Sequence, residues 1–171
     1  QGRLVLTERQ PKIRCRTITN VRITERAIEE TLMLDFDVQE AGVRELVFQL
    51  PERMRLARIR VPMLRQKTIE PVADPADKEP RIRVRLALQD DQMGKLRVLI
   101  EHDQLLAEQE HNVPIPNVET GKTTRRYVTL QGAGRDEMIV VTDAGYKPLT
   151  RNQKEWQYLS ELFGREGVID R

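Results

Sequence analysis

Two histidines, one cysteine, two aspartates at strand spacing and a set of arginines are the groups in this 171-residue chain that could do chemistry. A thiol nucleophile needs an electropositive, partly exposed setting. Cys15 instead shares an alternating face with Ile13, and Arg14 and Arg16 point the opposite way. The thiol is therefore expected in the core. A zinc site needs three or four suitably spaced ligands. His102, His111, an inward cysteine and scattered acids do not supply them, so both histidines are expected at the surface, and neither a metal nor a cofactor is expected. Asp35 and Asp37 project from one strand face and could divide general acid and base work if their pKa values were separated. The plainer expectation is cross-strand ion pairing with Arg58 and Arg60, or with Arg83 and Arg85. Asp90-Asp91 lacks the spacing of a calcium loop. Gly132-Ala133-Gly134-Arg135 suggests a phosphate cradle, but a dinucleotide fingerprint requires a third glycine and a following helix. Asp136-Glu137 and a strand follow here, so the segment reads as a hairpin turn, with no nucleotide. No residue is assigned a catalytic role.

The arginines carry the sharpest binding hypothesis. In Arg81-Ile82-Arg83-Val84-Arg85-Leu86, a period of two puts the arginines on one strand face and the apolar residues on the other. Arg97 fits on the paired strand, and Arg58 and Arg60 could lie nearby. Together, Arg58, Arg60, Arg81, Arg83, Arg85 and Arg97 would form a patch for an anionic ligand: a polyanion, a lipid headgroup or an acidic protein. The competing expectation is a solvated, ion-paired sheet face. With 29 basic and 27 acidic residues and a net charge of +2, the chain has no strong overall field for polyanions. Aromatics are only 4% of the residues, which weighs against stacking platforms for sugars or single-stranded nucleic acid.

The elements that must position these groups are mostly strands. Short ones are expected at Leu4-Val5-Leu6, across Ile13 to Ile23, and at Leu32 to Val38 with Leu32, Leu34, Phe36 and Val38 facing inward. Ala41-Gly42 is expected to turn the chain into a strand carrying Leu46, Phe48 and Leu50, which Pro51 ends. Ala57 to Met63 alternates around Arg58 and Arg60. Strands at Ile82 to Leu88 and Leu96 to Ile100 read as the best hairpin, joined through Gln89 to Gly94. The stretch from Glu108 to Thr124, with Pro114 and Pro116, is expected to wander over the surface. Tyr127 to Leu130 and Met138 to Val141 follow as strands. Thr150 with Gln153 fits a capping box for one helix, whose stripe is Trp156, Leu159, Leu162 and Phe163 and whose stop is Gly164. Met33, Val47 and Leu56 fall on the opposite faces of their strands and would mark contact with the helix or another domain if clustered.

This pattern predicts a mainly β fold: an antiparallel β-sandwich of about nine strands with one C-terminal helix. Residues 1–171 are most simply one domain, with an alternative break in the proline-rich stretch near 71–80. A single cysteine excludes an internal disulfide, no run approaches the about 18 apolar residues of a membrane span, and no signal peptide is evident. The termini are expected to be cut ends of a longer protein.

Val43-x-x-Leu46-x-Phe48-x-Leu50-Pro51, followed by an arginine-rich strand, resembles a pattern in uncharacterised, very large bacterial cell-envelope-associated proteins built from β-sandwich modules. The resemblance continues through Arg126-Tyr127-Val128, Met138-Ile139-Val140-Val141 and the helix around Trp156. It implies an extracytoplasmic, periplasmic or envelope module without catalytic residues. The expected function is a structural or protein-interaction module whose partners are other domains of the same polypeptide or another protein. An anionic-ligand module working through the arginine face is the alternative. A hydrolase using surface carboxylates is the third reading.

Overall fold

The computed structural model describes residues 2–73, 79–106, 110–132 and 145–163. Seven strands and one helix follow in order: β1 (Lys12–Ile23), β2 (Ala27–Pro51), β3 (Arg58–Arg60), β4 (Leu64–Val72), β5 (Arg81–Leu105), β6 (Asn117–Val118), β7 (Lys122–Gly132) and α1 (Lys154–Phe163). A single turn of 3-10 helix, Glu52–Met54, follows β2. The fold is mainly β, as expected, and forms one mixed seven-stranded sheet in the order β3-β5-β2-β1-β7, with β4 also on β5 and β6 also on β2. Every pairing is antiparallel except β1 with β7, which is parallel.

The strand count differs from nine for a physical reason. Ala41-Gly42 and Gln89–Gly94 have turn composition, yet neither reverses the chain. Each lies inside a 25-residue strand, and β2 and β5 stay paired from Ala27↔Leu105 to Pro51↔Arg81, with the register slipping only between Val38 and Glu45. The hairpin expected around Gln89 to Gly94 is therefore a bend in β5. Both strands bend together. Glu40 takes a left-handed φ of 71°, which in a non-glycine residue marks an irregular backbone. A Cβ on Gly42 would sit 2.6 Å from the Asp91 Cβ, so the close approach of the two bends requires glycine. Arg44 Nε donates to Asp91 Oδ1 at 2.9 Å across the same point.

The bends fold the sheet over. Glu30 lies near the start of β2 and Arg53 in the turn just past its end, yet their side chains touch at 2.7 Å. The stretch between them would extend over about 70 Å if straight. A second link agrees. Val118 pairs beside Phe48, and three residues later Gly121 packs on Ile13, which stands opposite Val38. A Cβ on Gly121 would fall 2.6 Å from that of Ile13, and its φ of +77° also favours glycine. The inward residues of both halves accordingly share one core. Leu32, Leu34 and Phe36 join Leu46, Phe48 and Leu50 from β2, and Ile82, Val84 and Leu86 join Val98 and Ile100 from β5.

Several local readings hold. Cys15 is buried, and Ile28 to Val38 alternates as a half-buried strand should. Thr150 N–H donates to Gln153 Oε1 at 2.7 Å, one arm of the expected capping box. Leu159 is buried, and Leu162 and Phe163 of the same stripe lie beside Met33 and Leu99 on the sheet's outer face. Other readings change. Leu4-Val5-Leu6 is an exposed arm rather than a strand. Pro114 and Pro116 are buried, so this excursion packs down onto the sheet. Leu56 is exposed, while Val47 is buried and its N–H is taken by Thr120 Oγ1. The expected strand at Met138 to Val141, the turn after Gly132 and the stop at Gly164 lie outside the described residues. Among the described residues no helix is long and apolar enough to cross a membrane.

Candidate functional site

Two constellations gather charged side chains, one inside the fold and one on the sheet's outer face. The inner one centres on Glu30. The alternation Ile28-Glu30-Leu32 places this carboxylate on the buried face of β2, where its side chain has no exposure. The fold supplies four donors. Arg53 Nη1 and Nη2 bind Oε2 and Oε1 at 2.7 and 2.8 Å as a fork. His102, directly opposite Glu30 on β5, places Nδ1 at 2.8 Å from Oε2, and His111 places Nε2 at 2.8 Å from Oε1. An ionised carboxylate only accepts, so both rings must carry a proton on those nitrogens. Gln104 Nε2 lies 3.1 Å from His111 Nδ1 and adds a further contact to the cluster.

The two histidines are thus not surface groups. Their side chains are only 14% and 15% exposed, and both serve the buried carboxylate. All four lone-pair positions of Glu30 are filled. Burial pushes its carboxyl pKa up, but the hydrogen bonds from His111, Arg53 and His102 and the charge of Arg53 outweigh that and hold it down, from the ordinary 4.5 to about 2. Arg53 also binds Asn112 O at 2.8 Å, and Thr19 Oγ1 binds Pro114 O at 3.1 Å, so the cluster pins the excursion onto the folded sheet. Among the described residues no group of three or more His, Cys, Asp or Glu side chains is placed to hold a metal ion.

A pH dependence follows, and its sign is fixed by the lowered pKa. Glu30 contributes stability that is fully present above its unfolded pKa near 4.5 and is lost as the pH falls toward about 2. Unfolding free energies from urea titrations at pH 6 to pH 2 should drop across that window by an amount on the order of 3 kcal/mol. Glu30→Gln should be less stable at pH 6 and show a shallower acid limb. An unchanged limb in Glu30→Gln would assign the acid sensitivity elsewhere. Asp35 shifts in the same direction and leaves a residual slope.

The outer constellation centres on Asp35, which the alternation of β2 turns away from the core. Arg97, opposite it on β5, binds Oδ1 at 2.6 Å and Oδ2 at 3.0 Å, and Arg16, opposite it on β1, binds Oδ2 at 2.9 Å. Burial raises the Asp35 pKa, and these two guanidiniums more than reverse the effect. Both arginines also donate to Tyr158 Oη of α1, at 3.1 and 3.3 Å, and Arg16 lies over the Tyr158 ring at 4.7 Å. The expectation of cross-strand ion pairs is right in kind for Asp35, but its partners are Arg16 and Arg97. Asp37 accepts from Gln39 Nε2 at 3.1 Å. Cys15, behind this face, has its thiol pKa pushed up to about 12 by burial and by the Asp35 charge, the opposite of an activated nucleophile.

The six arginines expected to form one patch are divided by the fold. Arg81, Arg83 and Arg85 lie on the outer face of the first half of β5, whereas Arg97, Arg58 and Arg60 lie on the outer face of its second half and on β3. Arg83 Nε binds both Glu119 oxygens at 2.9 and 3.0 Å, and Arg85 binds Glu70 at 2.9 Å and Glu45 at 3.3 Å. Arg81 donates to Ile115 O at 2.8 Å and Gln49 O at 3.3 Å. Arg60 binds Glu101 at 2.6 Å, and Arg58 is exposed beside the same glutamate in register.

Sequence reasoning passed over Glu30, Arg53, Arg16 and Tyr158. For Glu30 a signal was present: a carboxylate in the inward register of a strand must find cations. No protein-family model matches the chain, and no curated protein matches it with significance.

Proposed function

We propose that this chain is a non-catalytic β-sandwich module of a larger bacterial protein, and that it works by making protein contacts. The return of the sheet's far end onto Glu30 and the one shared core support the sandwich reading. One observation carries the interaction reading: residues 2–11 stand outside any helix or strand, and Leu4, Val5 and Leu6 in that arm are 93%, 73% and 96% exposed. Three consecutive large apolar residues of strand-forming type are costly to leave in water. Adding them as a strand to the edge of a neighbouring sheet would satisfy both their side chains and their backbone. The buried chemistry supports the same reading. Glu30, Asp35 and Cys15 are held by their neighbours in structural states. The resemblance to modules of large envelope proteins supports an extracytoplasmic setting.

Sedimentation equilibrium over a range of concentrations tests the arm with a second copy as the neighbour. Self-association is expected in the unaltered chain and should be lost in Leu4→Asp combined with Leu6→Asp, with unchanged thermal stability. A chain that stays monomeric at every concentration, or a double variant that associates equally well, would remove the support for strand addition by the arm.

A further inference from the structure

The strongest unassigned feature is the outer face of β7, β1, β2 and β5. Two rows of charged residues cross these four strands. One row is Lys122, Arg14, Asp37 and Lys95, and the other is Arg125, Arg16, Asp35 and Arg97. Six cations therefore face two carboxylates. Asp35 is taken by Arg16 and Arg97. Arg14, Lys95, Lys122 and Arg125 are exposed, and none has a carboxylate within 4.0 Å among the described residues. This is the reverse of the Arg83 and Arg85 face, where Glu119, Glu70 and Glu45 meet the arginines.

The cations also surround a recess. An open groove of about 520 Å³ runs between Arg14, Arg16, Lys95 and Arg97, with Thr124 on its wall and the carboxylates of Asp35 and Asp37 also lining it. That size suits a small ligand. Its inner guanidiniums are already oriented, since Arg16 and Arg97 are each fixed by Asp35 and by Tyr158 Oη. Fixed forks of this kind bind oxyanions with less loss of side-chain freedom than loose lysines do. Successive rows on a strand stand about 7 Å apart. That spacing fits two oxyanion groups joined by a short link.

We propose that this four-strand groove binds a small ligand carrying two phosphate or sulfate groups, one held by each row of cations. The outer cations Arg14, Lys95, Lys122 and Arg125 supply charge that no carboxylate among the described residues neutralises, and Arg16 and Arg97 supply the preset geometry. The site does not involve the arm, so it stands or falls separately from the strand-addition reading.

Isothermal titration of the full chain at low salt tests it with two probes, propane-1,3-diol bisphosphate and a sulfated heparin disaccharide. Binding of at least one probe is expected, weakening as salt rises. Arg14→Gln combined with Lys95→Gln should weaken it at least tenfold. Arg83→Gln combined with Arg85→Gln should leave it within twofold, as should the Leu4→Asp and Leu6→Asp arm variant. Preference for the bisphosphate would assign a phosphorylated ligand, and preference for the disaccharide a sulfated sugar. The proposal is overturned if neither probe binds, if the Arg14 and Lys95 variant binds normally, or if the Arg83 and Arg85 variant loses as much.

Discussion

Replacing Arg53 with alanine is expected to cost about 3–5 kcal/mol of folding stability, the typical penalty for breaking a buried ion pair by removing one partner. The argument rests on what is left behind. Glu30 has no exposed side-chain surface, and Arg53 supplies two of its four hydrogen bonds and a full positive charge. Without the guanidinium, the carboxylate stays buried with His102 and His111 as its remaining partners. The cost is therefore mostly that of a stranded charge and only partly that of a lost contact. Denaturant midpoints would measure it, and a double-mutant cycle with Glu30→Leu would show its origin. If the stranded charge dominates, Arg53→Ala should cost much less in the Glu30→Leu background than in the unaltered protein.

Arg53 also ties Asn112 O to the cluster, so amide exchange around residues 110–116 should accelerate in the variant. A variant with unchanged stability at every pH would mean that Glu30 does not need its forked partner, and the account of the buried cluster would fail.

The parts of this fold that could be read from the sequence are those that local chemistry decides. Alternation along Leu32 to Val38 and Arg81 to Leu88 assigns faces because side chains in a strand must point in opposite directions in turn. Thr150 and Gln153 mark a helix start because a cap is a contact between residues three apart. What failed depended on distant partners. Ala41-Gly42 and the stretch Gln89 to Gly94 carry turn residues, and composition alone does not separate a turn from a bend. Gly42 is needed because Asp91 packs on it from 49 residues away in the chain. The parallel pairing of β1 with β7 likewise follows from where β6 delivers the chain after pairing with β2. The same division holds for the sites. That Arg14 and Arg16 share a face was legible, but their meeting with Lys122, Arg125 and Arg97 was not, because it depends on strand order. His102 and His111 read as surface residues because nothing local announces a buried carboxylate on another strand.

Phe48→Ala should be the most damaging single truncation in the hydrophobic core, costing about 3–5 kcal/mol. The ring is fully buried in the second half of β2, with Val84 and Val118 as its register neighbours. Val84 is in turn opposite Ile69 of β4, so the ring stands in the middle of one layer of the doubled sheet. Removing it takes away transfer energy and leaves a cavity that strands hydrogen-bonded on both sides cannot easily close. β6 has only Phe48 and Gln49 as ladder partners, and it leads directly to Gly121 and β7. Loosening Phe48 should therefore weaken the link that carries the chain from one layer to the other. Leu56→Ala is the control: its side chain is 92% exposed, and its replacement should change stability by less than about 0.5 kcal/mol. The shape of the transition is as informative as its midpoint. One shared core predicts that Phe48→Ala moves a single cooperative transition seen alike by the Trp156 signal and by far-ultraviolet circular dichroism. Two separated transitions, with only one shifted by Phe48→Ala, would mean that the two halves of the folded-over sheet unfold independently.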